Sequence, residues 1–364
     1  CTSLAHIFLV DNLKLCYSKV QTINFSEGVL FMKKLIYFFI NIFLLSFGFL
    51  AGCGTSPEKI SKSGFYFDTV ITVTLYDKEY EPHLEDCFKL ADTYEQYFSA
   101  TRKDSDVSKI NTAGGKPVQV HEETMELIQK GLYYSQVSGG GFDITVGNLT
   151  SLWDFSQENP AVPKDSDIQK ALASIDYRNV EVSGNTVSLK NPQTHIDLGG
   201  IAKGYIADKM KEYLIEQGVT EGIINLGGNV LCLGEKTDGA YRIGVQKPFE
   251  PEGTALFALN VADKTVVTSG VYERCFTLKD KLYHHILNPA SGYPYDNHLV
   301  SVTIICKNSV DGDGLSTACF SMGLEKGMEF IENLSDTEAV FITEDNELHF
   351  SSGMGKTVPY EILE

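Results

Sequence analysis

Runs of residues with β-strand character turn back on themselves and alternate with amphipathic helical segments along most of this chain. Residues 70–76 alternate apolar and polar side chains, which predicts a strand with one buried face. In residues 180–189, Ser183, Gly184 and Asn185 lie between two β-rich runs, a pattern typical of a hairpin. Because helices and hairpins are mixed and no period repeats, we predict an α+β fold: mixed, largely antiparallel sheets with packed helices, in one two-lobed unit.

The spacing of apolar residues predicts further elements. Residues 82–98 should form a helix that Pro82 opens, and residues 122–138 should form a second helix with one apolar stripe. That stripe consists of Met125, Ile128, Leu132 and Tyr133. The same patterns predict a strand over residues 195–198, a helix over 201–217, a hairpin around 279–281, an alternating strand over 299–305 and a helix over 314–333.

The N-terminal segment resembles a secretion signal and is not expected to join the fold. Two lysines precede an apolar run over residues 35–50, which rises about 24 Å as a helix and falls short of the roughly 30 Å hydrocarbon core. The run ends in Leu50-Ala51-Gly52-Cys53, the pattern of a bacterial lipoprotein signal. We therefore expect Cys53 to carry lipid such as palmitate and to anchor the protein at the cell membrane, facing outside the cytoplasm. The alternative is an uncleaved anchor with a chance cysteine.

This interpretation divides the chain into five parts. Residues 1–31 precede Met32 and are interpreted as a translated upstream extension, and residues 32–52 as the lipoprotein signal peptide. Residues 53–64 are expected to form a flexible tether. Residues 65–352 should form the folded domain, and residues 353–364 a C-terminal tail.

The charge and cysteine patterns exclude several classes of function. Asp and Glu outnumber Lys and Arg by 48 to 30, and the formal net charge is −18. Such acidity argues against nucleic-acid binding, which needs clustered Lys and Arg. It also implies that a bound polyphosphate needs a metal cation to offset its charge. The eight cysteines contain no C-x-x-C pair, so we expect buried thiols and neither a zinc ribbon nor a thioredoxin-type site.

Two glycine-rich segments are candidates for ligand binding. In residues 195–205, a predicted strand breaks at Gly199 and Gly200 into a helix, whose free N–H groups suit an anion. Lys203 in the first turn could reach a phosphate, although the spacing matches neither a P-loop nor a Rossmann motif. Alone, a structural glycine turn beside a solvated lysine explains this segment equally well. Residues 138–147 allow close backbone approach to a ligand, but their glycines could also simply end a helix.

A histidine pair is the candidate for acid–base chemistry. His284 and His285 enter a Pro/Gly turn, which suits a general base held near a cleft. Adjacent side chains on a strand point to opposite faces, so at most one should face a site, and either could be merely structural. A rate that depends on an unperturbed imidazole should rise with pH through about 6.5.

Asp313 and Thr317 are candidates for metal binding. The sequence places Asp313 at the start of a helix, and Thr317 lies four residues later on the same face. A carboxylate and a hydroxyl in this arrangement can both give oxygen to a hard cation such as Mg²⁺. An aspartate helix cap followed by an ordinary threonine is the alternative.

Together these segments resemble the ApbE family, the FAD:protein FMN transferases. The resemblance runs from about residue 65 to residue 350 and rests on three motifs in the family's order. They read Asp-Leu-Gly-Gly-Ile-Ala-Lys-Gly-Tyr at 197–205, His-Ile-Leu-Asn-Pro at 285–289 and Asp-Gly-Leu-Ser-Thr-Ala at 313–318. The resemblance implies a phosphoryl-group transferase that moves FMN from FAD to a threonine hydroxyl of an acceptor flavoprotein through a phosphoester bond and releases AMP.

The resemblance also implies residue roles. Mg²⁺, with Mn²⁺ as the other candidate ion, is expected at Asp313, Thr317 and the backbone carbonyl of Gly200. His285 is expected to deprotonate the acceptor hydroxyl, and the acceptor to carry a D-x-x-S-[GA]-A-T-type motif. The positions that contact FAD in similar proteins correspond to Phe67, Thr101, Gly141, Phe142, Asp143, Asp197, Lys203 and Leu287.

Three residues depart from the family pattern. Asn288 stands where an aspartate usually precedes Pro289, Ser316 stands where some members have a second aspartate, and Phe67 stands where many have methionine. The first two put metal affinity or preference in doubt more than the type of reaction.

Two other functions fit the same residues. An FAD pyrophosphatase would use the same metal site with water as the nucleophile and yield FMN and AMP. A non-catalytic flavin-binding lipoprotein would deliver its ligand without turnover, but it has no need for Asp313, Thr317, Lys203 and His285 together. An FAD assay with and without an acceptor protein separates these functions.

Overall fold

A central sheet of eight strands organises the chain in the computed structural model, which describes residues 58–155 and 160–363. The strands are β1 (Ile60–Tyr66), β2 (Thr69–Leu75), β3 (Val118–Gln119), β4 (Val180–Ser183), β5 (Thr186–Leu189), β6 (Gly222–Leu226), β7 (Asn229–Leu233), β8 (Tyr241–Gln246), β9 (Ala255–Val261), β10 (Thr265–Gly270), β11 (Cys275–Leu278), β12 (Lys281–His284), β13 (Leu299–Cys306), β14 (Glu338–Thr343), β15 (Leu348–Phe350) and β16 (Tyr360–Ile362). The large sheet has the order β1-β2-β6-β7-β10-β13-β14-β15.

Three smaller sheets accompany it, with the orders β11-β12, β16-β9-β8 and β3-β5-β4. Strands that neighbour one another in these sheets and in the large one run antiparallel. Contacts group the chain from Glu58 onward into one compact unit. The predicted α+β fold with largely antiparallel sheets is therefore confirmed.

Eight α-helices accompany the sheets in the described residues, and several of them pack against the large sheet. They are α1 (Glu81–Phe98), α2 (Asp106–Thr112), α3 (Glu122–Val137), α4 (Gly147–Thr150), α5 (Asp165–Leu172), α6 (Ala202–Glu216), α7 (Ser309–Met322) and α8 (Leu324–Glu332). Of these, α1 contacts β1 and β2, α6 contacts β6 and β7, and α7 contacts β10 and β13. These contacts place α6 and α7 side by side across the middle strands.

The sequence patterns locate most of these elements. In α1, Pro82 lies in the first turn and the residues at helical spacing are the ones that are buried. The hairpins β4–β5 and β11–β12 form where they were predicted, and the latter turns at Lys279 and Asp280, both with positive φ. In α3 the predicted stripe is wrong at its end, because Tyr134 is buried and Tyr133 is half exposed.

Three predicted elements differ in the structure. Residues 195–198 are extended but form only an isolated bridge, between His195 and Val146, so the predicted strand is wrong. Strand β13 is buried on both faces, which its alternating sequence did not indicate. The helix predicted over 314–333 is two helices that start at Ser309 and break at Gly323, where φ is +79°.

The expected domain boundaries are also displaced. Strand β1 begins at Ile60, inside the segment predicted to be a flexible tether. Strand β16, inside the predicted C-terminal tail, pairs with β9. The predicted signal peptide and Cys53 lie outside the described residues. Within the described ranges, no helix is both long and apolar enough to span a bilayer.

The cysteines of this part of the chain are free thiols. Cys87, Cys232, Cys306 and Cys319 are buried and Cys275 is partly buried. Burial raises the pKa of the Cys87 thiol to about 12. The prediction of buried thiols is confirmed, and such groups are apolar packing elements.

Helices α6 and α7 are in backbone contact at Gly204. A Cβ at this position would overlap the backbone carbonyl of Ser309 at the start of α7. Glycine therefore allows backbone-to-backbone contact between the two helices. Beside this contact, the Gly204 N–H donates a hydrogen bond of 2.6 Å to Asp313 Oδ2 of α7.

We predict that Gly204→Ala lowers the free energy of unfolding by about 1–3 kcal/mol, because the added methyl group must push the helices apart. Urea denaturation measures this change. Glu216→Ala, at the exposed end of the same helix, is the control and should change stability by less than about 0.5 kcal/mol. Equal midpoints for Gly204→Ala and the parent would contradict the close helix approach.

Candidate active site

The start of α6 is set by a side-chain-stabilised turn. Asp197 Oδ1 accepts a hydrogen bond of 2.8 Å from the Gly199 N–H, and Asp197 Oδ2 accepts one of 2.7 Å from the Thr150 hydroxyl. This turn leads through Gly200 into the helix, so Lys203 lies in its first turn. The positive end of the helix dipole and the Lys203 ammonium group therefore both lie at this end of α6, which favours an anion.

An aromatic ring lies against this turn. A Cβ at Gly200 would lie 3.2 Å from Phe142 Cε2, so glycine brings the backbone close to the buried Phe142 ring. The neighbouring Gly141 carbonyl accepts a hydrogen bond of 3.0 Å from the Tyr295 hydroxyl. The structure thus brings together Gly200, Gly141 and Phe142, which the sequence singled out in separate motifs.

Asp313 is a buried carboxylate held by neutral donors. Its Oδ2 accepts the Gly204 N–H, and its Oδ1 accepts a hydrogen bond of 2.9 Å from Asn229 Nδ2. Only 4% of the residue is exposed. Burial raises the pKa of the Asp313 carboxyl, and the nearby Lys203 ammonium opposes that rise. Since Asp313 is the fifth residue of α7, its predicted position at a helix start is wrong.

Thr317 lies one turn after Asp313 and is tied to the sheet. Its hydroxyl is 3.1 Å from Ser269 Oγ of β10. Ser269 also donates a hydrogen bond of 2.8 Å to Ser316 Oγ, and Ser316 in turn donates one of 3.0 Å to the Asp313 carbonyl. Ser316 is therefore part of the hydrogen-bond chain that fixes this helix face.

His284 and His285 have different surroundings. His284 is 5% exposed, and its Nε2 lies 3.0 Å from the Tyr295 carbonyl. Burial lowers the pKa of His285 to about 3, and the positive charges of Arg274 and Lys203 contribute to this shift. His285 Nδ1 is buried and has no hydrogen-bond partner among the described residues. His285 is therefore neutral at pH 7 and close to the cation of α6.

Arg274 links His285 to the β1–β2 hairpin. The His285 N–H donates a hydrogen bond of 3.0 Å to the Arg274 carbonyl, and Arg274 Nη2 donates one of 3.2 Å to the Asp68 carbonyl. Asp68 and Phe67 form the hairpin tip, where both have positive φ. Phe67 is further fixed by its N–H, which donates a hydrogen bond of 2.7 Å to Glu95 Oε1.

Two other predicted residues, Asp143 and Thr101, form hydrogen bonds within their own loops. The Asp143 carboxylate accepts hydrogen bonds from the Thr145 N–H and hydroxyl and from the Tyr177 N–H, so it stabilises its own loop. Burial raises the pKa of Asp143. Thr101 is exposed, and its hydroxyl lies 3.1 Å from Ser99 Oγ.

Leu287 borders an aromatic cluster behind the histidines. It packs with Trp153, Tyr283 and Tyr293, whose rings stack or meet edge to face. Asn288 follows it, and Asn288 Oδ1 accepts a hydrogen bond of 2.8 Å from the Ala290 N–H. The asparagine thus supplies the turn-forming acceptor that an aspartate would supply at this position.

Sequence reasoning missed several residues of the site, namely Asn229, Asp208, Ser269 and Arg274. Asp208 of α6 accepts hydrogen bonds of 2.7 Å and 2.9 Å from the Ser309 and Val310 N–H groups, which caps α7. Burial raises the pKa of Asp208 to about 6. For Asn229 a signal was present, because it follows the pair Gly227-Gly228 between two β-rich runs.

The donor set at Asp313 fits a hard cation. Residues 58–155 and 160–363 contain no cluster of three or more His, Cys, Asp or Glu side chains that could hold a metal. Asp313 supplies one carboxylate that no cation neutralises through a hydrogen bond, and Thr317, one helical turn later, supplies a hydroxyl. Mg²⁺ is commonly held by one or two carboxylates together with water and substrate phosphates, so a sparse oxygen set of this kind suits it.

Comparison with known proteins relates the chain to flavin transferases. The sequence matches the ApbE family over residues 67–341. A protein of Klebsiella pneumoniae named FAD:protein FMN transferase is 39% identical over 295 residues, which cover 80% of this chain and 92% of that protein. A protein of the same name from Treponema pallidum is 30% identical over 342 residues, covering 88% of this chain and 94% of that protein.

Solved structures agree with the sequence comparison. The flavin transferase ApbE of Vibrio cholerae is 28% identical and superposes with a TM-score of 0.71, covering 81% of this chain and 97% of that one. The ApbE protein of Thermotoga maritima is 31% identical, with a TM-score of 0.74 and the same coverage of 81% and 97%. The similarity therefore extends over nearly the whole length of these structures.

Proposed function

The chain belongs to the ApbE family, and on that basis we propose that it transfers FMN from FAD to a threonine hydroxyl of an acceptor flavoprotein, with Mg²⁺ bound and AMP released. Its relatives are named FAD:protein FMN transferase, and this chain is an enzyme of that kind. The threonine target, the metal ion and the acceptor motif of D-x-x-S-[GA]-A-T type are the parts that this proposal adds.

One observation carries the proposal: the Lys203 ammonium is close enough to act electrostatically on both the Asp313 carboxylate and the His285 imidazole. Its ammonium affects the pKa of Asp313 and of His285, which come from α7 and from the end of β12. This grouping supports the proposed roles of Asp313 as a metal ligand, Lys203 as a phosphate-binding cation and His285 as a base. Phosphoryl transfer is catalysed chiefly by such positioning and charge stabilisation.

Each residue has a defined part in the proposed reaction. The first turn of α6, Lys203 and Arg274 bind the FAD pyrophosphate and hold it in one orientation. Asp313, Thr317 and the Gly200 carbonyl would hold Mg²⁺, which would supply positive charge to stabilise the phosphoryl oxygens. Neutral His285 accepts the proton of the acceptor hydroxyl. The hydroxyl oxygen then forms a bond to the FMN phosphorus, and the bond between that phosphorus and the AMP oxygen breaks.

We also propose that the enzyme acts at the outer face of a membrane, anchored by lipid on Cys53. The support is the signal pattern that ends at this cysteine. A Cys53→Ala chain expressed in its bacterial host should move from the membrane fraction to the soluble fraction or remain as an unprocessed precursor. Fractionation followed by immunoblotting measures this, and unchanged membrane partitioning with normal processing would place the anchor elsewhere.

The central prediction is that the chain attaches flavin covalently to an acceptor in an Mg²⁺-dependent reaction, and that Asp313→Ala abolishes it. Loss of this carboxylate leaves a hydroxyl and a carbonyl, which compete poorly with water for Mg²⁺. In-gel flavin fluorescence of the acceptor and chromatography of released AMP measure the reaction. Circular dichroism checks that the variant is folded.

The matched control is an acceptor whose target threonine is replaced by alanine. Covalent flavin should then be absent. If the parent enzyme releases FMN and AMP equally fast with and without acceptor, the pyrophosphatase function replaces the proposed one. If FAD binds and is never converted, the flavin-binding function replaces it.

We predict that His285→Ala slows transfer by about 10²–10⁴-fold with little change in FAD affinity, because a general base acts in the transition state. Since burial lowers the pKa of His285 to about 3, its base form is present at every pH above that value. The transfer rate of the parent should therefore show no inflection from this residue near pH 6.5. Single-turnover rates across this pH range measure both effects.

His284→Ala is the internal control and should transfer FMN at nearly the parent rate below its unfolding temperature. The His284 imidazole is hydrogen-bonded to the Tyr295 carbonyl in the core. The variant should therefore be less stable than the parent and still transfer FMN. A slow His284→Ala combined with a normal His285→Ala would reverse the assignment of the base. A collapse of FAD affinity in His285→Ala would make that residue a ligand contact.

A further inference from the structure

Asn229 contacts the proposed metal ligand with a fixed amide orientation. The side chain is 2% exposed, and its Nδ2 donates to Asp313 Oδ1 at 2.9 Å. Its Oδ1 accepts a hydrogen bond of 2.6 Å from the Ser309 hydroxyl. A flipped amide would set its oxygen against the ionised carboxylate, and neither group could donate. The carboxylate therefore holds the N–H toward Asp313.

The backbone around Asn229 is equally constrained. Gly227 and Gly228, with φ of +59° and +90°, form the two-residue turn between β6 and β7, and Leu226 pairs with Asn229 across it. Turns with two residues of positive φ fix the register of a hairpin. Strand β7 continues into pairing with β10. Asn229 is thus presented by the large sheet and not by a loop.

Together, Asn229 and Gly204 determine how the Asp313 carboxylate is oriented. Oδ1 accepts an N–H from Asn229 of β7, and Oδ2 accepts an N–H from Gly204 of α6. Without the donor on Oδ1, the carboxylate could rotate toward the Lys203 ammonium, whose charge it already senses. An ion pair with Lys203 would compete with a metal ion for the same oxygens.

We propose that Asn229 is a positioning residue that keeps the Asp313 carboxylate oriented for Mg²⁺ and away from Lys203. The inference rests on the proposed function, because Mg²⁺ is the ion of that reaction. An amide suits this role since it donates a hydrogen bond without adding charge, and so leaves the negative charge of Asp313 for the cation. Groups that orient metal ligands in this way typically change metal affinity by about 10–100-fold when removed.

The test is the Mg²⁺ affinity of Asn229→Ala in the full chain, in the presence of FAD. Titration calorimetry with MgCl₂, and the Mg²⁺ concentration that half-saturates the rise in melting temperature, should both report an affinity about 10–100-fold weaker than the parent's. Saturating Mg²⁺ should restore most of the transfer rate, because the defect lies in binding and not in the base.

Thr265→Val is the matched control. Thr265 is fully buried, and its hydroxyl lies 3.2 Å from Ser309 Oγ, at the far end of the same hydrogen-bond network. This variant should lose stability like Asn229→Ala while its Mg²⁺ affinity stays within about twofold of the parent's. If Asn229→Ala does not fold, Asn229→Ser serves instead, because it withdraws the amide N–H from Asp313 and keeps a polar group at this position.

Two outcomes separate this inference from the proposed function. If folded Asn229→Ala or Asn229→Ser binds Mg²⁺ within about twofold of the parent while Asp313→Ala does not bind it, the positioning role is wrong and the metal site stands. If Asp313→Ala binds Mg²⁺ as well as the parent does, the metal lies elsewhere and both fail. A weaker transfer rate with unchanged Mg²⁺ affinity would make Asn229 a purely structural residue.

Discussion

The rest of the site depends on a reciprocal exchange of hydrogen bonds between α6 and α7, in which a carboxylate of each helix accepts N–H groups of the other. Asp313 of α7 accepts the Gly204 N–H in the first turn of α6, and Asp208 of α6 accepts the Ser309 and Val310 N–H groups in the first turn of α7. Each helix therefore satisfies free N–H groups of the other, which would otherwise be buried without partners. The exchange needs backbone contact at Gly204, where a side chain would not fit. The hydrogen bond from Gly204 to Asp313 also sets the position of Lys203, because Lys203 is the residue directly before Gly204.

This arrangement has an electrostatic cost that makes the site chemically useful. Burial raises the pKa of both Asp313 and Asp208, so each carboxylate is less stable in its charged form than it would be in water. Asp208 recovers part of this cost from two backbone donors at one helix N-terminus. Asp313 has one backbone donor and one neutral amide, and the Lys203 ammonium opposes the rise in its pKa. In the proposed function, a divalent cation would add further positive charge beside this carboxylate.

Local patterns in the sequence predict the elements, and tertiary contacts decide where they end. The apolar spacing of α1 and the turn at Lys279 and Asp280 are short-range signals, and both predictions are confirmed. The start of α7 was misplaced because its N–H groups are capped by Asp208, about a hundred residues earlier in the chain, and no local cap marks Ser309. The family motifs identify Asp313, Lys203 and His285. They do not reveal Asn229 or Arg274, because these residues reach the site through strand register and hairpin contact.

Asn288 and Ser316 depart from the family pattern in the same way, because each is neutral at a position where family members can have an aspartate. Asn288 keeps the turn-forming acceptor of an aspartate without its charge, and Ser316 uses its hydroxyl to bond Ser269 and the Asp313 carbonyl. A carboxylate at position 316 would be buried beside Asp313, since Ser316 is 1% exposed. Two buried carboxylates would repel each other unless a second cation joined them. In the proposed reaction, Asp313 alone would therefore need only one divalent ion beside it.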